Sequence, residues 1–353
     1  MKNLFPLLFC FFMSCSLYQD TESPEIYFEY SDFDILYLGR TISDIIISDN
    51  GQNLFLSDYN NNSLLNIDVS DQLKILGEIL IGSHPIALDL NSDNSIIVIA
   101  LEGESTIYTV GTQAFEIVNQ YSIPLMNVND IAFLNDSIVV ISSRTDPACI
   151  SLNLNSSEYI SQSVLNGELA MDQENDILYV ATSSSVKKYN WDGDRFSQDS
   201  NISDPYGFVG DVHHFVFNAA NNTVFACISS SNDDEKNIPH IYSYSGPDMT
   251  FAGKYLIKSP GLAVAVSNNG ERVFTAPTDA DEIGVFIIEF DQESKLESHY
   301  YLSAGNLTDR GLIVDSNNEN LFILVNIPFF LFGGRAMGLA FGLKTLFANI
   351  AIM

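Results

Sequence analysis

The sequence predicts an all-β fold, a seven-bladed β-propeller of four-stranded blades, on three observations. A two-strand phrase recurs seven times along the chain. Its spacing is in the forties, roughly what a four-stranded repeat needs. The phrase alternates with further short apolar–polar strands rather than with helical patterns. Its clearest copies are IIISDNGQNLFLSD (45–58), IALDLNSDNSIIVIA (86–100), LAMDQENDILYVAT (169–182), LAVAVSNNGERVFTA (262–276) and LIVDSNNENLFILV (312–325). Looser copies are IAFLNDSIVVISS (131–143) and FVFNAANNTVFACISS (215–230). Each is an apolar strand, a turn of Asn, Asp, Ser or Gly, and a second apolar strand beginning near Leu54, Ile96, Ile138, Ile177, Val224, Val273 or Leu321.

The remainder of each period supplies a third and a fourth strand. SLLNIDVS and LKILGEILIG follow the first phrase, TIYTVGT and EIVNQYSI the second, HIYSYSG and TFAGKYLI the fifth, and IGVFIIEF and KLESHYYL the sixth. No such unit buries both faces alone, so stacked neighbours must make one continuous core and the ring must close. The seventh phrase has two strands and no recognisable third or fourth. Near the N-terminus, EIYFEY (25–30) and FDILYLG (33–39) lack partners. A last blade closed by strands from both termini accounts for both and removes an open edge. The propeller is therefore expected over 25–326.

The segment 327–353, IPFFLFGGRAMGLAFGLKTLFANIAIM, contains no Asp or Glu, although the whole chain carries 45. Arg335 and Lys344 interrupt it, leaving no uninterrupted apolar span of membrane-helix length. One reading is a membrane-associated helix beginning after Gly334. The other, favoured by the abrupt change in composition, is a shift of reading frame near 326 that leaves the tail foreign to the propeller.

The 353 residues carry a formal net charge of −30. That field disfavours nucleic acid and anionic membrane surfaces as partners. At the N-terminus, MKNLFPLLFCFFMSC has Lys2, a short apolar stretch and then Ser14-Cys15, followed by a polar tether over 16–24. Residues 1–15 read as a signal peptide. They resemble a bacterial lipoprotein signal, which implies lipidation of Cys15, although Phe12 and Met13 depart from the usual pattern. Cys149 and Cys227 fall two blades apart, too far for a disulfide, and read as small buried residues.

The segment 82–112, GSHPIALDLNSDNSIIVIALEGESTIYTVGT, resembles the YVTN-type propeller repeat of surface-layer and periplasmic seven-bladed proteins. So do 259–276 and 54–71, and Leu178-Tyr179-Val180-Ala181-Thr182 lies near the family's naming motif. The resemblance spans about 40–325. It implies the fold, together with a range of roles: binding modules, scaffolds and a few enzymes, lactonases among them. The Gly-His and Trp-Asp signature of WD40 repeats is absent.

Sites on a propeller gather where the first strands line the axis. The residues just before those strands are Asp44, Pro85, Asp130, Glu168, His214, Gly261 and Gly311. One step earlier stand Ser43, His84, Asn129, Gly167, His213, Pro260 and Arg310. Asp44, Asp130, Glu168 and His214 are thus the candidate ligand-binding residues at the channel mouth, with His84, His213 and Arg310 around them. Carboxylates and imidazoles in such a ring hold a divalent cation or a polar ligand. Wet polar mouths with nothing bound are the commoner case. No nucleophile–base pair is visible, so no catalytic residue is assigned. The acidic clusters at Asp192-Gly193-Asp194, Asp233-Asp234-Glu235 and Asp279-Asp281-Glu282 lack calcium-loop spacing and read as turns.

The expectation is an exported, lipid-anchored, monomeric propeller at the cell envelope that binds an envelope protein or a small polar ligand. The alternative is a lactonase-like hydrolase with a carboxylate/His site at the mouth. A purely structural surface component is the third class.

Overall fold

The computed structural model describes residues 25–28, 34–71, 73–146, 149–164, 166–182, 185–201, 212–228, 240–246, 248–257, 261–277, 285–291, 296–302, 306–317, 320–328 and 346–352. Seven sheets stand around an axis, six of four strands and one of five; in all but the closing one, four consecutive strands follow in meander order. The strand nearest the axis in each blade is Ile42–Ile47, Pro85–Leu90, Val128–Asn135, Glu168–Asp172, Val212–Asn218, Gly261–Val266 and Asn306–Val314, for blades one to seven. Each of these strands touches the next, and the seventh touches the first, so the ring is closed.

The second strand of each blade explains why the recurring phrase is so apolar. It is flanked by sheets on both sides, so alternate side chains enter opposite interfaces. Leu54 and Leu56 pack into the core between blades seven and one, while Phe55 joins the core between blades one and two. Ile97 and Ile99 enter that same core, and Val98 and Ala100 enter the next. Leu178 and Val180 face blade three; Tyr179 and Ala181 face blade five. Cys149 and Cys227 are buried thiols outside any disulfide, in two such interfaces. The outermost strands, by contrast, are exposed along Lys74–Leu80 and Glu116–Ser122. On the face away from the mouth, polar turns link neighbouring blades. The backbone N–H of Asp49 donates to Asn94 at 2.8 Å, and the Ser92 hydroxyl donates to Asp136 at 2.7 Å.

The closing blade differs in part from the sequence expectation. Its order is Asp34–Arg40, Leu346–Ile352, Leu321–Pro328, Asn306–Val314. The N-terminal region supplies the fourth strand, as expected of FDILYLG. The third strand comes from the apolar tail, which pairs Leu346 with Pro328 through Ile352 with Phe322. The propeller thus extends past 326. LFANIAI suits the slot because it is a short apolar run with strands on both sides. The other N-terminal strand, Glu25–Phe28, does not enter this blade. It adds in parallel to Leu296–Leu302 as a fifth strand of blade six. Residues 1–24, which hold the signal segment and Cys15, and 329–345 lie outside the described residues; where the tail expected to be helical after Gly334 is described, over 346–352, it is a strand. No helix among the described residues is long and apolar enough to cross a membrane.

A charged clamp crosses the seam between the closing blade and blade one. Arg40 donates to both oxygens of Glu78, at 2.6 and 2.8 Å, and to Asp58 at 2.9 Å. The planar guanidinium suits this forked contact better than an ammonium would.

Candidate functional site

The first strand of every blade has one unpaired edge facing the axis, and its N–H groups there need acceptors. Side chains from the preceding blade supply them. Asp44 accepts from Ile45 at 2.9 Å and, across the blade boundary, from Leu88 at 2.8 Å. Asp89 accepts from Leu90 at 2.9 Å and from Phe133 at 2.6 Å. Asp130 accepts from Ile131 at 2.9 Å and from Leu169 at 2.8 Å. In blade five, His214 Nδ1 accepts the N–H of Val264 at 3.2 Å, which requires the neutral imidazole. Axial carboxylates therefore have a structural role before any functional one.

Arg310 is the cation among them. The seventh inner strand carries an extended bulge: Leu307 pairs with Val325 and Leu312 with Ile323, leaving four residues opposite Leu324. Arg310 sits in this bulge with φ of 54°. Beside it, a Cβ on Gly311 would lie 2.4 Å from the Thr308 hydroxyl and 3.0 Å from the Leu324 carbonyl, so only glycine fits. The bulge carries the guanidinium across the axis. Its Nη1 lies 3.2 Å from Asp130 and 3.5 Å from Asp44, and its Nη2 pairs with Glu168. Nη2 also donates to the Asn129 carbonyl at 3.4 Å. Gly167, in the basin wall beside Glu168, is tightly placed too: a Cβ on it would stand 2.0 Å from the Ala181 carbonyl.

Arg310 and Glu168 form a floor. Above them lies a basin of about 880 Å³ lined by Ser43, Asn129, Arg144, Asn166, Thr182 and His213, among others. Below them a channel cavity of about 280 Å³ is lined by Asp44, Asp89, Asp130 and His214. The same two residues border both spaces.

The sequence-predicted residues thus divide. Asp44, Asp130, Glu168 and Arg310 come together, and His214 faces the cavity beneath them. His213 lines the basin. His84 does not belong: it lies in the turn leading to blade two, tilted against Tyr59 with centroids 4.5 Å apart and in contact with Ser83. Blades one, two, three, five and six share a bulge at this point, and pairing with the second strand sets Ala87 (opposite Ala100) and Ala263 (opposite Ala276) level with Asp44, Asp130 and His214. Ala87 and Ala263 therefore stand where Pro85 and Gly261 were expected. Asp89, Arg144 and Asn166 carry no positional signal in the repeat phrase, and sequence reading passes over them.

A divalent cation does not fit the arrangement. The guanidinium occupies the space between Asp44, Asp130 and Glu168, and the aspartates' remaining lone pairs serve edge amides. No cluster of three or more His, Cys, Asp or Glu with metal-binding geometry occurs among the described residues.

Burial dominates the titration of the ring. It pushes Asp89 and Glu168 up to about 7 and Asp44 up to about 6; Arg310 opposes it at Glu168 and Asp44, and the neighbouring carboxylates add to it. Burial, then Arg310, holds His214 down at about 3. For Arg310 itself the surrounding carboxylates outweigh burial and hold the proton more firmly than usual. The three raised acids keep protons in the folded chain that the unfolded chain releases. Their contribution to stability is complete below the ordinary carboxylate range and is lost as pH rises through 6 to 7. His214 acts in the opposite sense, costing stability below its ordinary 6.5. Three groups outweigh one. The melting temperature is expected to fall by roughly 5 °C or more between about pH 5 and pH 8, as scanning calorimetry at fixed ionic strength would register. A flat or rising profile would contradict the buried, partly protonated ring.

No family model and no curated protein matches the sequence. Solved structures match the fold. Kuenenia stuttgartiensis hydrazine synthase aligns with a TM-score of 0.64 at 12% identity, over 81% of this chain and 92% of that one. U3-55K aligns with a TM-score of 0.64 at 12% identity, over 91% and 98%. The WD40 repeats of RRP9 align with a TM-score of 0.64 at 13% identity, over 91% and 98%. At such identities the likeness concerns the fold. One neighbour is named as a synthase and another as WD40 repeats, so the shared architecture does not choose between catalysis and binding.

Proposed function

We propose that this chain is an exported, lipid-anchored binding module whose recognition surface is the basin at the channel mouth. The observation that carries the reading is Arg310 on the axis. It turns a through-channel into a floored basin and commits the axial carboxylates to holding the floor. A hydrolase of the lactonase type needs carboxylates free to hold a metal or activate water. Here Asp44 and Asp130 are engaged by Arg310 and by edge amides, and Glu168 by Arg310 and Asn129. The basin's size suits a small ligand or an inserted side-chain cluster. Export and anchoring rest on Lys2, the short apolar stretch and Cys15.

Two measurements test this. The full chain expressed in a bacterial host should incorporate labelled palmitate and partition into detergent, and Cys15→Ala should do neither. A photo-crosslinking residue at Thr182, on the basin wall, should yield a discrete adduct in envelopes. The same residue at Leu80, on the outer strand and 73% exposed, should not. Adducts from Leu80 alone would move the recognition surface away from the mouth.

A further inference from the structure

We propose that the first strand, Glu25–Phe28, is exchanged between two copies of this chain: the outer edge of blade six takes the strand of a second molecule, which takes the first molecule's strand in return. The inference goes beyond the basin and does not depend on what the basin binds.

An open sheet edge is where one chain adds to another. Most blades blunt theirs. The outer strand carries an extra residue against the third strand in blade one (Leu76), blade two (Val118), blade four (Asp199), blade five (Ala252) and blade six (Glu297). In blade three the outer strand is only three residues long, Tyr159–Ser161. Among the described residues, only blade six has a further strand seated on its edge. That strand joins past the bulge, where the ladder is regular: Glu25 pairs with His299 and Phe28 with Leu302. The edge is therefore a strand acceptor, and the segment it accepts is Glu25–Phe28. Blade six does not need it, because its own four strands are already paired. The added ladder is made by main-chain groups, so the same segment of another copy forms it equally well.

The connection decides between the two sources. Glu25–Phe28 runs parallel to Leu296–Leu302, so Phe28 ends level with Leu302, at the mouth end. The next strand, Asp34–Arg40, starts low. Asp34 pairs through Ile352 with Phe322, and the matching line in blade six joins Phe274 through Glu289 to Ser298. From the level of Leu302 to that of Ser298 is a drop of about 13 Å, and neighbouring sheets stand about 10 Å apart and splay outward. The straight span is thus at least about 16 Å. The chain from Phe28 to Asp34 reaches at most about 20–22 Å. Links between parallel strands ordinarily run to about a dozen residues or more. A short hinge of this kind favours the exchange of an end strand between molecules. The exchange is reciprocal, so it closes as a two-fold dimer and does not propagate. The net charge of −30 on each copy opposes the approach, so added salt should favour the dimer.

The test distinguishes a chain's own strand from its neighbour's. Two full-length chains with different tags are expressed together, one carrying Tyr27→Cys and the other Tyr301→Cys. These positions are register partners, and adjacent strands lie about 4.7–4.9 Å apart, within the range that a disulfide spans. A disulfide is expected between unlike tags and not between like ones, and salt should increase it. Inserting about six Gly and Ser residues between Tyr30 and Ser31 of the Tyr27→Cys chain lets its strand return to its own blade and should remove most of the link. Unsubstituted chains bearing the two tags should co-purify and lose this on the same insertion. A chain carrying both cysteines reports placement: it should link, within itself or to its copy. The proposal is overturned if the doubly substituted chain links only within itself while the separate variants stay unlinked. It is also overturned if like tags link as readily as unlike ones, if the insertion changes nothing, or if the unsubstituted chains do not co-purify. A doubly substituted chain that links nowhere would take Glu25–Phe28 off this edge and end the proposal too.

Discussion

Arg310→Met is expected to be the most destabilising single substitution in the axial ring, with a loss of about 3–5 kcal/mol at pH 8. Methionine keeps the apolar stem and lacks the guanidinium that makes the contacts, so the cost is chiefly electrostatic. Asp44 and Asp130 are 7% exposed, and with Glu168 they would share the axis without a cation. Removing one partner from a buried ion cluster leaves the others uncompensated, which costs far more than the net worth of the cluster. The expected signature is dependence on pH. Near pH 5 the raised acids take up protons and the gap to the wild type should shrink by more than half. Glu168→Gln introduced beside Arg310→Met should recover part of the loss at pH 8. Arg310→Lys should be intermediate, because one ammonium cannot reach three carboxylates on separate blades. Chemical denaturation of the four proteins at both pH values decides the matter. A loss of equal size at pH 5 and pH 8 would mean that Arg310 acts by packing and that the ring carries no charge stress.

The axial cluster was partly legible because it depends on ring arithmetic. Once the repeats are in register, Asp44, Asp130, Glu168 and His214 fall on equivalent strand positions, and the structure puts them at the axis. His84 fails by the same arithmetic. Counted from the bulge that blades one, two, three, five and six share, it stands level with Thr41 and Asn127, in the turn before the channel-lining strand. Asp89 was missed because it sits two places further along its strand, amid apolar neighbours that read as core. Arg144 and Asn166 stand in connections outside the first two strands, where the repeat imposes no pattern. The fold was more legible than the site. Second strands such as Ile96–Leu101 are buried on both faces, so they announce themselves as unbroken apolar runs. What stayed hidden was the third strand of the closing blade. The long segment 329–345 separates it from its partner and lacks the Asn, Asp and Ser turn that marks every other blade.

Removing that strand is expected to unfold the ring, whereas removing the N-terminal one is not. Leu346–Ile352 lies between two partners, Leu321–Pro328 on one side and Asp34–Arg40 on the other. A chain ending at 345 loses both ladders together. Asp34–Arg40 then has no sheet to join, and Leu36 and Leu38 leave the core between blades seven and one that they share with Ile42, Leu54, Phe322 and Leu324. Both leucines are partly buried, so each withdrawn from the core costs at most about 1.5–3 kcal/mol before any hydrogen bond is counted. Arg40 would also lose the backbone that presents it to Asp58 and Glu78. Two edges rich in unpaired amides would be exposed, which favours aggregation. Among the described residues, deleting 1–28 removes an added outer strand, Glu25–Phe28, and leaves the four strands of blade six paired. Expressed without the signal segment, the chain lacking 1–28 should keep a cooperative melt within a few degrees of the full chain. The chain ending at 345 should show no cooperative transition, or one lowered by roughly 15 °C or more. If the C-terminal truncation melts like the full chain, Leu346–Ile352 is a passenger and the ring closes without it; if instead the N-terminal deletion is the one that collapses, closure runs through blade six and not through the seam at Arg40.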